Sequence, residues 1–320
     1  MGRGSASRVL ALHLAVLAVL VALYFVLPDY HRGIVPRVLV LAVFAAGYNI
    51  LFGYTGLLSL GHAMFFAAGI YGAGMPAYYL DWGVLPAFAA GIASGAVLAL
   101  VVGFLALRTS GVAFMIVTMM FSQVFYLTTL YFTTWTRGEE GLVIGQQLRQ
   151  FVIGGTIVDL TDPATRYFAA VILFGVVLFA SLAVARAPFG RVLIAIRENE
   201  ERVRMLGYDV FLNKLAAVVI SGVFCAAAGA AYALLFGYVG STFASIQYSI
   251  LPLLWVLLGG AATTLGPLIG TVFMFYVVDI TSGYTSAYLL IVGIALILLV
   301  LFFPKGFLGT VRERWLRWLP

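Results

Sequence analysis

RAPFGRVLIAIRENEERVRMLGYDVFLNK, residues 186–214, is a charge-dense island in a chain that is otherwise nearly uncharged. It holds six of the 18 Lys and Arg residues and four of the 12 acids. Apolar runs flank it at 167–185 and 215–236, each close to the roughly 18 to 20 residues a helix needs to cross a bilayer. The island therefore reads as a water-exposed connection between two membrane spans, with a surface that something outside the membrane binds. Composition agrees. Hydrophobic residues make up 63% of the chain and charged ones 9%, against roughly 25% charged in soluble domains. An ordinary soluble enzyme is excluded, and the net charge of +6 reports membrane orientation rather than nucleic-acid binding.

Working outward, further spans read at 9–27, 35–52, 84–107, 111–132 and 287–303, with a Gly- and aromatic-rich stretch at 53–80. The run at 9–27 is longer than a signal-peptide core and reads as the first span, starting in the cytoplasm. Residues 28–32 read as a short polar loop. The segment 133–166 has balanced charge and alternating pieces such as FVIGGTIVDL (151–160), which predict a small hairpin on the outer face. Counting crossings from a cytoplasmic start puts the island inside. Residues 249–278 are mostly apolar but interrupted by Gly259, Gly260, Thr263, Thr264, Gly266 and Pro267. One crossing there would leave the basic tail (304–320) outside, against the positive-inside rule. A re-entrant pair of half-helices with its turn at 259–267 returns the tail to the cytoplasm, and such backbone belongs where a cavity or protein covers it. The expectation is one all-α transmembrane domain over 1–320, with about 8–10 spans, some broken.

FGYTG (52–56) and FGYVG (236–240) each end an apolar run and precede a Gly-rich segment, the signature of an internal repeat with a substrate site at its interface. Asn49, Tyr54, Thr55, Ser59, Gly61 and His62 interrupt the apolar background after the first motif. They read either as helix packing with satisfied side chains or, as a group, as lining of a pathway. Enzymatic and metal chemistry find no support in the pattern. His13, His31 and His62 lack metal-ligand spacing, Cys225 stands alone, and the two lysines, Lys214 and Lys305, follow no phosphate-cradling loop. If ATP powers the protein, another chain binds it. Only His62 and Asp279 come near membrane depth as ionisable groups, which disfavours a self-sufficient channel or an ion-coupled carrier.

Within the island, 188–190 reads as a turn, 191–206 as a helix and Gly207 as its left-handed cap. Val192, Ile196, Val203 and Leu206 recur at helical spacing among charges. That stripe suits a groove on a partner protein better than mere solvation.

PFGRVLIAIRENEERVRMLGYDV (188–210) closely resembles the cytoplasmic coupling loop of permease subunits of branched-chain amino acid ABC importers. GYTGLLSLGHAMFF (53–66) and LLGGAATTLGPLIG (257–270) resemble that family's other two signatures, and the long outer loop resembles the second of its two sister permeases. The resemblance implies a bacterial or archaeal cytoplasmic membrane and a heterodimer with a sister permease. It also implies two cytoplasmic ATPase subunits, an extracytoplasmic binding protein, no cofactor, and passage of branched-chain or hydrophobic amino acids by alternating access. The polar and Gly pattern places Asn49, Tyr54, Thr55, Ser59, Gly61, His62, Gly259, Gly260, Thr264, Gly266 and Pro267 along the pathway. By the likeness, Gly190 to Gly207 form the coupling element: Arg191, Arg197, Glu198, Asn199, Glu200 and Glu201 set charge and register, while Val192, Ile196 and Val203 fill the ATPase groove. The outer loop departs from the family's Thr-Gly-Gly-Ser-Asp-Gly-Leu, reading Thr136, Arg137, Gly138, Glu139, Glu140, Gly141, Leu142. Relatives that carry urea or short amides keep that alternative open.

Overall fold

The computed structural model describes residues 3–153, 156–285, 287, 290, 293, 294, 297, 301 and 305–314. The span expected at 287–303 falls largely outside them. Seven helices among the described residues are long and apolar enough to cross a membrane. They are α1 (Arg3–Val26), α2 (Asp29–Asn49, extended by a π-helical turn Ile50–Tyr54), α4 (Val84–Ala106), α5 (Val112–Tyr131), α7 (Pro163–Arg186), α10 (Val210–Phe236) and α12 (Gly266–Tyr284). The Gly-rich α3 (His62–Tyr79) and the shorter apolar α11 (Ile246–Gly259) lie among them. Short helices among the described residues include α6 (Thr133–Thr136), the island helices α8 (Pro188–Glu198) and α9 (Glu200–Met205), and a tail helix, Gly306–Arg314.

Small residues set the core. α10 lies against α2, α3 and α4, and its CAAAGAA run lets backbones touch. A side chain at Gly229 would strike the Phe66 carbonyl, and one at Gly69 the Ala226 backbone. Lipid tails offer no hydrophobic drive between helices, so association depends on such close packing. α1 is the outlier, mostly exposed and packed on α7. Residues 28–32 are not a loop. Pro28 opens α2, and Asp29 in its first turn complements the helix dipole and pairs with Arg32 at 2.5 Å.

A break stands where the sequence places one. α11 ends at Gly259 and α12 begins at Gly266. Gly259 faces the Gly266 backbone and Gly270 the Trp255 carbonyl, so the two helices run antiparallel as a tight hairpin. The expected strand pair also forms. β2 (Gln150–Ile153) and β3 (Thr156–Asp159) are antiparallel, with Gln150 opposite Asp159.

The two FGYxG motifs lie at opposite ends of the bundle. Gly56 abuts Arg197 of the island, whereas Gly237 abuts Arg149 of the long loop. α2 therefore runs from the loop end to the island end and α10 runs back. The two motifs thus end helices that run in opposite directions.

Candidate functional site

The broken end of α2 is built around one amide. Asn49 Nδ2 donates to the Thr263 carbonyl at 2.9 Å, and its Oδ1 accepts from the Ala262 amide at 3.0 Å. Ala262 is in the left-handed region (φ 57°), and the 260–265 turn has no helix to satisfy its backbone. Asn49 supplies the pairing that buried polar groups require. Thr263 Oγ1 completes the turn, donating to the Gly260 carbonyl (2.7 Å) and accepting from the Gly266 amide (3.1 Å). A Cβ at Gly53 would collide with Asn49 Oδ1 and the Ala262 amide, so the motif's glycine is required by close approach.

A second polar group closes around His62. Ser221 Oγ donates to the Gly47 carbonyl (2.7 Å), so it accepts from His62 Nε2 (2.9 Å). Ser59 Oγ accepts from the Gly61 amide (3.2 Å) and gives its proton to Nδ1 (3.2 Å). One neutral tautomer, with the proton on Nε2, satisfies every bond. Tyr48 donates to the Ser59 carbonyl, Thr55 to the Ile50 carbonyl, and Ser249 Oγ takes the Ala63 amide. His13 Nδ1 donates to the Val9 carbonyl (2.7 Å), so the Thr264 hydroxyl donates to Nε2 of the neutral ring at 2.8 Å. Asn49, Tyr54, Thr55, Ser59, His62 and Thr264 are all buried within this one chain. Gly259, Gly260, Gly266 and Pro267 form the facing turn. The pathway candidates thus converge on one belt of broken helices, but as a closed set rather than the lining of an open cavity, hydrogen-bonded except at the buried Tyr54 hydroxyl, which has no partner among the described residues.

The island departs from a single helix. Asn199 leaves helical geometry (φ −161°, ψ 101°) and caps α9 by accepting the Arg202 amide at 2.9 Å. Residues 188–190 are no turn either; Pro188 opens α8 at the position where a missing N–H costs nothing. Gly207 takes the left-handed conformation expected of it (φ 87°). The apolar stripe folds on itself across the break. Ile196 and Val203, each 4% exposed, bury against Val210 with Val192 alongside. They are turned away from the surface, whereas Met205 (80% exposed), Leu206 (72%), Tyr208 and Leu212 are exposed. A groove of about 310 Å³ adjoins them, lined by Pro188, Arg191, Val192, Ala195, Val203, Leu206 and Tyr208. Glu200 is not free for a partner, since it binds Lys214 (2.5 Å) and Arg204 (3.2 Å). Arg191, Glu198 and Glu201 are exposed. Arg197 reaches inward, donating to the Gly53 carbonyl. It ties the island to the belt at the glycine that touches Asn49. On the same end, Arg312 donates to the Ala262 carbonyl (3.4 Å).

At the loop end, β1 (Leu142–Val143) pairs with β4 (Tyr238–Val239), joining the long loop to the second FGYxG motif. Arg137 adopts the left-handed conformation (φ 56°) and is held by Tyr78, whose hydroxyl accepts from Nη2 at 2.8 Å. The arginine stands where the family pattern has glycine, which takes that conformation freely. Asp159 accepts from Thr161, Gln146 and Gln150. These bonds, Thr161's foremost, hold its carboxyl well below the ordinary aspartate range. Arg37 was missed entirely. It sits within α2 among apolar residues, exposed and level with the first turn of α7 and the last turn of α10.

Apolar helices broken in antiparallel pairs, with a charged two-helix platform at one end and a folded loop at the other, define a multi-pass membrane protein built for transport. The model of the family described as branched-chain amino acid transport system, permease component, matches residues 32–301, and the chain belongs to that family. The high-affinity branched-chain amino acid transport system permease protein LivM of Salmonella typhimurium is 27% identical over 322 residues, covering 94% of this chain and 75% of its own length. LivM of Escherichia coli is 26% identical over 324 residues with the same coverage. A probable branched-chain amino acid transport permease LivM of Methanocaldococcus jannaschii is 36% identical over 84 residues, 26% of this chain and 24% of its own length. No solved structure matches the chain.

Proposed function

We propose that this chain is the membrane-spanning subunit of an ATP-driven importer of branched-chain amino acids in a bacterial or archaeal cytoplasmic membrane. It works with a sister permease, two cytoplasmic ATPase subunits and an extracytoplasmic binding protein. The island end is cytoplasmic and the loop end faces outward. The observation that carries this reading is the island itself. An exposed apolar patch beside a groove, rimmed by charge, is the kind of surface that binds a protein. Through Arg197 and Gly53 that surface is joined to the hinge-like belt of broken helices. Relatives named for branched-chain amino acids supply the substrate class.

ATP hydrolysed by a partner moves the island, and the rigid link passes that motion to Asn49 and the 260–265 turn. The belt is closed in this chain, so the substrate passes only when the halves separate or at the face shared with the sister permease. Leu206→Asp tests the surface. It leaves the island core intact and should lower ATPase co-purification and substrate-stimulated hydrolysis by about tenfold, since a charge buried unpaired at a contact costs a few kcal/mol. Wild-type values in both would reduce the island to a solvated loop. The chain alone in liposomes should accumulate nothing with or without ATP, and the complete complex should take up leucine in preference to urea or short amides. Cysteines at Gln147 and Thr310, without Cys225, should label from outside and inside respectively.

A further inference from the structure

Three arginines meet where the loop end of α2, the first turn of α7 and the last turn of α10 converge. Arg37 and Arg166 place their guanidinium carbons 5.3 and 5.7 Å from the centroid of one ring, Phe236. Arg149 reaches the same helix end, its Nη1 donating to the Leu235 carbonyl at 3.5 Å and its guanidinium against Gly237. Arg149 Nε is buried with no hydrogen-bond partner among the described residues. Burial pushes the Arg149 pKa down, and the charge of Arg166 pushes it further. The nearby carboxylates are engaged: Asp159 with Gln146, Gln150 and Thr161, and Asp162 as the cap of α7. None of the three arginines has an ion pair among the described residues. Three cations are gathered here against a ring face and a few carbonyls, and the carboxylates of Asp159 and Asp162 offset part of their charge without forming an ion pair with any of them. Such a focus of positive potential attracts an anion, and planar guanidinium groups fit a carboxylate two bonds at a time.

What lies beneath is apolar and aromatic. From Phe236 the rings run through Tyr232 (4.7 Å between centroids), Phe243 (4.9 Å) and Tyr248 (5.2 Å). Tyr248 then meets Phe44, 6.1 Å away, which shares a face of α2 with Arg37, seven residues earlier. Arg37 is exposed at the head of this wall, on a helix otherwise mostly buried.

We propose that Arg37, Arg149 and Arg166 form a carboxylate-binding site at the loop end, receiving the carboxylate of an apolar amino acid whose side chain faces the aromatic wall. This deepens the importer reading and rests on it. The arginines select for an acid group and the wall for an apolar body, before the substrate reaches the closed belt around Asn49 and His62.

The test uses the complete transporter, with its binding protein, reconstituted in neutral-lipid vesicles and in vesicles with added anionic lipid. Arg37→Gln should lower leucine uptake about tenfold or more, since charge-assisted bonds are the strong ones, in both lipids and with complex assembly and binding-protein co-purification unchanged. Arg37→Lys, which keeps charge but not the fork, should recover part of the uptake. Unchanged uptake in Arg37→Gln overturns the site. Loss of binding-protein association overturns it in favour of an acidic protein contact, and an effect confined to anionic vesicles overturns it in favour of a lipid headgroup. If Arg37→Gln does not assemble, Arg37→Lys decides: an assembled complex with reduced uptake supports the site, while wild-type uptake or failed assembly overturns it. Wild-type complex that takes up no leucine sinks the importer reading itself, which separates the two failures.

Discussion

The two FGYxG elbows share four of five residues yet resolve differently. At 52–56 the helix loosens into a π-helical turn. Its Gly53 carbonyl is taken by Arg197, and its glycine face presses on Asn49 and the 260–265 turn. At 236–240 the helix ends cleanly on left-handed Gly237 (φ 69°), whose carbonyl accepts the Ile144 amide at 2.9 Å, and the chain becomes a strand paired with the long loop. The motif encodes a break. What replaces the broken hydrogen bonds is decided by the neighbour each end meets: packed helices and an arginine at one, a β ladder at the other. The island-end elbow is locked by buried side chains, and the loop-end elbow by backbone pairing nearer the surface.

Substitutions at the two ends break or sharpen that contrast. The largest effect belongs to Asn49→Leu, which strips the turn of two buried partners. At about 1–3 kcal/mol for each unsatisfied group, it should lower the yield of folded protein and the thermal transition of what remains. A stability equal to wild type would mean the turn finds other partners and that Asn49 is no lock. Next comes a paired comparison. Gly53→Ala meets backbone and a fixed amide, so overpacking of about 1–3 kcal/mol is expected. Gly237→Ala meets only the flexible end of Arg149, leaving mainly the left-handed penalty of about 1–2 kcal/mol. Thermal unfolding in one detergent should rank Gly53→Ala below Gly237→Ala; the reverse order would show the loop-end elbow to be the tighter one.

Within the island, Ile196→Asp should cause local unfolding that exposes α8 and α9 to protease, whereas Leu206→Asp should not. Equal protease resistance of the two variants would contradict the inward packing of Ile196 against Val203 and Val210. The smallest effect is electrostatic and confined to the loop end. The Asp159 carboxyl is held below its ordinary value of about 3.8. Its contribution to loop order is therefore complete above about pH 4 and is lost as pH falls through the depressed folded value. Hydrogen-exchange protection factors of residues 145–153 and 156–162 should fall on acidification below about pH 4, and Asp159→Asn should flatten that dependence. Loss of protection already between pH 7 and 5 would point to another group.

Much of this was legible along the chain because the physics is local. Apolar runs of bilayer length, the Gly- and Pro-marked turn at 259–267 and the alternation at 151–160 are patterns of neighbours, and each appears as an element. The island was half legible. Helical spacing joins 191–206 into one stripe, but Asn199 can cap as well as continue, and only the burial of Ile196 and Val203 against Val210 shows which it does. With the stripe turned in, the exposed apolar residues of the island include Met205, Leu206 and Tyr208. Arg37 escaped notice because one arginine barely changes the average of an apolar run, and its ring partner lies 199 positions away at Phe236.

By itself the sequence determined that the chain crosses a membrane many times, where its helices break, and which family's signatures it carries. Those properties follow from hydrophobicity, glycine and proline placement, all of which act over a few residues. Tertiary structure alone decided what each break is for. Asn49 meets Thr263 across 214 residues, His62 meets Ser221 across 159, and Arg197 meets Gly53 across 144. In a bilayer core no water stands ready to satisfy an exposed amide or hydroxyl. The partner must come from another helix, and which helix that is depends on how the whole bundle packs.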